Sequence, residues 1–119
     1  MIDYVDPIPP LIALFKAGEF KVYGNTFPTN MSSTETALLV RVMGGTDYHR
    51  IQLLTRSTSD ISAMYELIEA SNFLIQNVSR IQGLRATWAE RESNPIHSTD
   101  QDTGRPEAWC YMRVESLEA

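Results

Sequence analysis

Apolar residues fall at Ile8, Leu11, Ile12, Leu14 and Phe15, a spacing that predicts a short helix within 7–20. Pro9 and Pro10 sit in its first turn, where a missing N–H is tolerated, and Gly18 is the expected stop. Residues 20–23 read as a short extended piece, and the polar stretch 24–36, with Pro28, reads as loop. Residues 38–43 then alternate, with Leu38, Val40 and Val42 on one face and Leu39, Arg41 and Met43 on the other. Gly44-Gly45 can turn the chain at positive φ into a second strand at 50–56, so a β-hairpin is predicted.

Ser57-Thr58-Ser59-Asp60 resembles a capping box, Ser-x-x-Asp, and predicts a helix running to about Val78. Its apolar stripe is Ile61, Met64, Tyr65, Leu67, Ile68, Leu74, Ile75 and Val78, with Glu66, Glu69 and Asn77 facing water. After Gly83, alternation through Leu84, Ala86 and Trp88 predicts a third strand, and Ala108, Cys110, Met112 and Val114 mark a fourth. Residues 93–106 between them are polar and read as a long hairpin tip, the kind of segment that carries function. The sum is one α+β domain spanning 1–119: a four-stranded, mostly antiparallel sheet with two helices on one face. The opposite face is expected to expose Trp109 and Tyr111 with Leu39, Met43 and Leu54, and such an apolar patch marks a partner surface.

Composition narrows the function. Hydrophobic residues make up 43% and charged residues 21%, the mixture of a chain that folds on its own. A net charge of −5, with the eight arginines scattered along the chain, argues against sequence-independent nucleic-acid binding, which needs concentrated Lys/Arg. No apolar stretch approaches the roughly 20 residues of a membrane span. The start of the chain, through Asp3 and Asp6, is acidic where a signal peptide is basic, so synthesis inside a cell is expected. A single cysteine, Cys110, excludes an internal disulfide.

Little in the chain points to catalysis. His49 and His97 fall in predicted turn or loop positions outside any metal-ligand spacing and read as solvated. Cys110 occupies the apolar phase of its strand and reads as core. Gly44-Gly45 lacks the flanking pattern of a phosphate loop. Asp100, Asp102 and Glu107 lack the remaining ligand positions of a calcium loop and read as a solvated acidic loop. Glu90, Arg91 and Glu92 are placed for cross-strand ion pairs. No catalytic residue, cofactor or metal is expected.

The order of these pieces resembles a known family. The apolar first helix, Pro28, the strand closing in Gly44-Gly45 and Ile51-Gln52-Leu53-Leu54-Thr55-Arg56 come first. The long helix with Tyr65 and Leu74 follows, then Asp102-Thr103-Gly104-Arg105-Pro106-Glu107 leading into Trp109-Cys110-Tyr111-Met112-Arg113-Val114. Together they resemble small phage minor capsid or tail-completion proteins of the tail terminator group, over most of the chain. The resemblance implies a structural virion protein without a substrate, made in the host cytoplasm and placed in the tail or neck. It implies a homo-oligomeric ring, typically a hexamer, that caps the tail tube and meets the head-side connector. Candidate partner-binding residues are Trp109, Tyr111 and Arg113 on the sheet face and Asp102, Arg105 and Glu107 at the hairpin tip. A head-completion or neck subunit and a small ligand-binding α+β domain are the competing readings. An RNA-binding sheet is disfavoured by the acidic charge.

Overall fold

The architecture follows from alternation in three strands. In the computed structural model, which describes residues 4–117, the elements in chain order are α1 (Ile8–Ala17), β1 (Val22–Gly24), β2 (Ala37–Val42) and β3 (His49–Arg56). They are followed by α2 (Asp60–Asn77), a 3₁₀ turn (Val78–Arg80), β4 (Ala86–Arg91), β5 (Ile96–Thr99) and β6 (Pro106–Ser116). Met1 to Asp3, part of the acidic start considered above, lie outside the described residues.

The sheet has six strands where four were expected, in the order β1-β2-β3-β6-β4, with β5 also paired to β6. Only β1 with β2 is parallel; the other pairs are antiparallel. The two additional strands have a clear reason to escape a pattern search. β1 is three residues long, and β5, Ile-His-Ser-Thr, is mostly exposed and has no buried phase. β4 and β5 lie end to end along one edge of β6: Ala86 to Arg91 pair with its last residues and Ile96 to Thr99 with its first. The interruption between them is held by Ser93 Oγ, which accepts from the Tyr111 N–H at 2.9 Å. The expected long hairpin tip at 93–106 is therefore a strand plus a short turn at 100–105.

The helix-covered face carries the core. Leu38 and Val40 of β2, Ile51 and Leu53 of β3, and Ala108, Cys110, Met112 and Val114 of β6 are all buried there. Against them pack Ile8, Leu11, Leu14 and Phe15 of α1 and Ala63, Leu67, Ala70 and Leu74 of α2. Phe73 packs against the end of α1: a Cβ on Gly18 would lie 2.4 Å from its ring, so a larger residue there has to displace that ring. The β2–β3 turn runs as expected, with Gly44 and Gly45 at φ +93° and +111°. Arg50 N–H donates to the Gly44 carbonyl at 2.9 Å.

Four expectations about local structure are corrected. The cap of α2 is Ser59, whose hydroxyl accepts from Ser62 N–H at 3.1 Å, and not Ser57. Ser57 is fully buried and shares a 2.7 Å hydrogen bond with Thr36. The apolar residues of α2 split into two faces: Leu67 and Leu74 point inward, but Ile61, Tyr65 and Ile68 are exposed at 77%, 67% and 42%. The small residues Ala63, Ala70 and Ser71 take the inward positions, because they let the helix lie close on the sheet. His49 is no solvated loop residue: it begins β3, is buried, lies edge-on to the Tyr4 ring and sits 3.3 Å from Ser116 Oγ. His97 is exposed as expected, but on β5.

Candidate functional site

Strand alternation sends every second residue of β2, β3 and β6 to the face away from the helices. The register lines them up in rows. Leu39, Leu54, Trp109 and Ile96 lie side by side; Arg41, Gln52 and Tyr111 form the next row. Arg50 stands opposite Arg113, and Arg113 opposite Glu90. At the other end Arg56 stands opposite Glu107. Arginines that are scattered along the chain thus converge: Arg41, Arg50, Arg56 and Arg113 share this face, and Arg105 closes its end. Three separate strands and a turn supply them, so no basic run marks the cluster in the sequence.

Most of these guanidiniums are stacked on rings and tied to carboxylates. Arg50 lies 4.1 Å over Tyr111, Arg113 lies 3.9 Å over Tyr48, and Arg56 lies 4.5 Å over Phe27. Trp109 meets Tyr111 edge to face at 5.2 Å. Arg50 pairs with Glu92 at 3.1 Å, Arg113 with Glu115 at 3.0 Å, and Arg56 with Glu107 at 2.8 Å and Asp100 at 3.4 Å. These contacts lay the long side chains beside rings and carboxylates, so the face is a lattice of planar groups. Arg41 differs. It donates to the Asn25 carbonyl and to Gln52 Oε1, and among the described residues no carboxylate pairs with it.

Residues 25–36 lie across one end of this face and correct the expectation that Leu39 is exposed: it is buried. Arg105 ties the segment down, donating from Nη1 to the Ser32 carbonyl at 3.1 Å and from Nη2 to the Glu35 carbonyl. Its Nε is buried without a hydrogen-bond partner among the described residues. Glu35 makes the second tie, accepting from the Tyr23 hydroxyl at 2.6 Å and from Lys21 at 3.1 Å. The Tyr23 hydrogen bond, reinforced by Lys21 and Arg105, holds the Glu35 carboxyl below its ordinary range and raises the Tyr23 phenol.

Between this segment and the 100–105 turn a cleft of about 530 Å³ opens onto the sheet. Phe27 and Leu54 give it apolar surface over buried Leu39, and its charged lining is Arg41, Arg56 and Arg105 with Asp100, Asp102 and Glu107. Two of the three acids read as a solvated loop are structural. Asp100 accepts from Thr103 Oγ1 at 2.6 Å and Thr103 N–H at 2.9 Å, which lowers its carboxyl below the ordinary range. Glu107 is buried against Arg56; only Asp102 stands in water.

The six candidate partner residues are therefore placed as follows. Trp109, Tyr111 and Arg113 share the open sheet face, half-buried in the lattice. Glu107 lies on the same face but beneath Arg56. Arg105 is a tie for the 25–36 segment, and Asp102 lines the cleft. Missed in the sequence were Arg41, Arg50 and Arg56, whose only signal was their shared phase with Leu39, Leu54 and Trp109. Cys110 is buried in the core, and burial pushes its thiol up to about 11, which makes it a poor nucleophile. Among the described residues no three His, Cys, Asp or Glu side chains are placed to hold a metal ion, and no helix is long and apolar enough to cross a membrane. No protein-family model and no curated protein matches the chain.

Proposed function

We propose that this chain is a structural virion protein, a subunit of a homo-oligomeric ring of the tail terminator kind. In this reading the ring closes the finished tail tube and meets the head-side connector. One observation carries the assembly reading: the two sides of the subunit present unlike surfaces that are both suited to protein. The helix side exposes Ile61, Tyr65 and Ile68 in a line, and the sheet side presents Trp109 and Tyr111 in a preordered aromatic–arginine lattice. Aromatic residues and arginine are the side chains most enriched in protein interfaces. Where one such face of a subunit meets the other face of the next, the contact is head to tail, and it closes into a ring when the rotation between copies allows. The order of motifs along the chain supports the narrower assignment to a tail terminator.

The cleft under residues 25–36 favours a second reading, a ligand-binding α+β domain, since its volume lies in the range of about 300–1,000 Å³ typical of ligand pockets. Incubating the purified chain with recombinant tail tubes separates the two. Density at one end of each tube in electron micrographs supports the terminator reading. A chain that remains monomeric and leaves tube ends bare overturns it.

A further inference from the structure

We infer that residues 25–36 are a strap that lifts as one piece from the sheet face while the rest of the fold stays closed, uncovering Leu39. Such a strap serves either reading of the function, assembly or ligand binding, and depends on neither. The position of Leu39 is the first reason. Its side chain is closed to water, yet it lies on the face away from the helices and outside the core between helices and sheet. On that face it shares the cleft with Phe27, Pro28 and Met31 of the strap, so the strap is its cover. Uncovered, Leu39 completes an apolar row with Leu54, Trp109 and Ile96 across β2, β3, β6 and β5.

The way the strap is held is the second reason. Among the described residues, no side chain of 25–36 joins the core, and the cleft leaves the strap bridging the sheet instead of packed on it. At its start Arg41 Nε donates to the Asn25 carbonyl at 3.2 Å, and the Phe27 ring lies under Arg56. At its end a polar latch closes: Arg105 donates to the Ser32 and Glu35 carbonyls, and the Glu35 carboxylate takes Tyr23 and Lys21. Other bonds run within the strap. The Met31 N–H donates to the Pro28 carbonyl, the Glu35 N–H to the Ser32 carbonyl, and the Ser32 and Thr34 hydroxyls share a hydrogen bond of 3.0 Å. Breaking the latch therefore frees the strap with these bonds intact, at a cost far below that of unfolding the sheet. The closed latch also leaves Arg105 Nε buried without a partner among the described residues, a cost that opening relieves. Asn25, at φ +66°, turns the chain out of β1 and marks one hinge. Thr36, whose hydroxyl bonds that of buried Ser57, marks the other.

The test is thiol labelling of the full-length Leu39→Cys variant, in which Cys110, buried in the core, reports global unfolding of the same molecule. The introduced thiol is expected to label at least about 100-fold faster than Cys110, because only the strap has to open. Adding urea to about 1 M is expected to change its rate by less than about twofold while raising the Cys110 rate about tenfold, since the rise follows the surface exposed. Adding Arg105→Met is expected to speed the introduced thiol about tenfold by breaking the latch; an unchanged rate overturns the latch. Equal rates and equal urea dependence at the two thiols overturn the inference, because the cover then gives way only with the fold. Labelling of the introduced thiol in the folded chain as fast as a thiol in an unfolded peptide also overturns it, because Leu39 then has no cover. Limited proteolysis of the unaltered chain asks the same question without a substitution. The first cut is expected within 25–36, at a rate that urea at about 1 M leaves within about twofold. A first cut elsewhere, or one that follows global unfolding, overturns the inference.

Discussion

Arg105 is the residue on which the geometry of the cleft depends, and replacing it gives a sharp prediction. Arg105→Met keeps an unbranched apolar stem but removes the donors to the Ser32 and Glu35 carbonyls. A hydrogen bond from a charged donor contributes about 1.5–3 kcal/mol net. The side chain is half-exposed, so water replaces part of each bond, and the pair together contributes about 2–3 kcal/mol. The substitution also removes a buried Nε without a partner, which returns about 1 kcal/mol. The expected net loss is about 1–2 kcal/mol, a fall in urea midpoint of roughly 1 M for a slope of about 1.5 kcal/mol/M. The loss is local in origin. The Glu35 amide, bonded to the Ser32 carbonyl, and the Met31 amide, bonded to the Pro28 carbonyl, are expected to lose hydrogen-exchange protection before the β3 amides do. A midpoint within about 0.3 M of the unaltered chain, with Glu35 still protected, refutes the role of Arg105 as the tie.

Other expectations follow from the same contacts. Leu67→Ala, at a position fully closed to water, is expected to cost about 3 kcal/mol and lower Tm by on the order of 10 °C, whereas exposed Ile61→Ala stays within about 0.5 kcal/mol; calorimetry reads both. The Glu35 carboxyl is held low, so its contribution to stability is present above the ordinary carboxylate range and lost as pH falls through its lowered folded value. Tyr23→Phe removes the largest cause of that shift and should flatten the acid limb of urea midpoint against pH. Glu66 is shifted the other way, by desolvation and then by Glu69, so its ionised form opposes folding at neutral pH. Glu66→Gln is therefore expected to raise the urea midpoint at pH 7, with the gain vanishing as pH falls below the ordinary carboxylate range.

What the sequence made legible follows the physics of each element. The β2–β3 hairpin was readable because one face of each strand is buried, so Leu38 and Val40 or Ile51 and Leu53 show the period directly. Hydrophobicity alone assigned α2 a broad inward stripe, yet Ala63, Ala70 and Ser71 take the core positions and leave Ile61, Tyr65 and Ile68 outside. A list of apolar positions does not distinguish a core stripe from an exposed one on the same helix. β5 was invisible because its pairing is with the β6 backbone, and backbone hydrogen bonds leave no trace in side-chain polarity. The candidate site was half legible. Trp109, Tyr111 and Arg113 share one strand and one phase, but their arginine partners come from β2 and β3, and only the register brings them together.

Under the proposed function this chain works by assembling with copies of itself. Light scattering across a wide range of protein concentration measures it most directly, against a chain mass of 13.5 kDa. The mass is expected to rise with concentration to a plateau at a whole multiple of the chain, six being the expected number. A mass that stays at one chain throughout contradicts it.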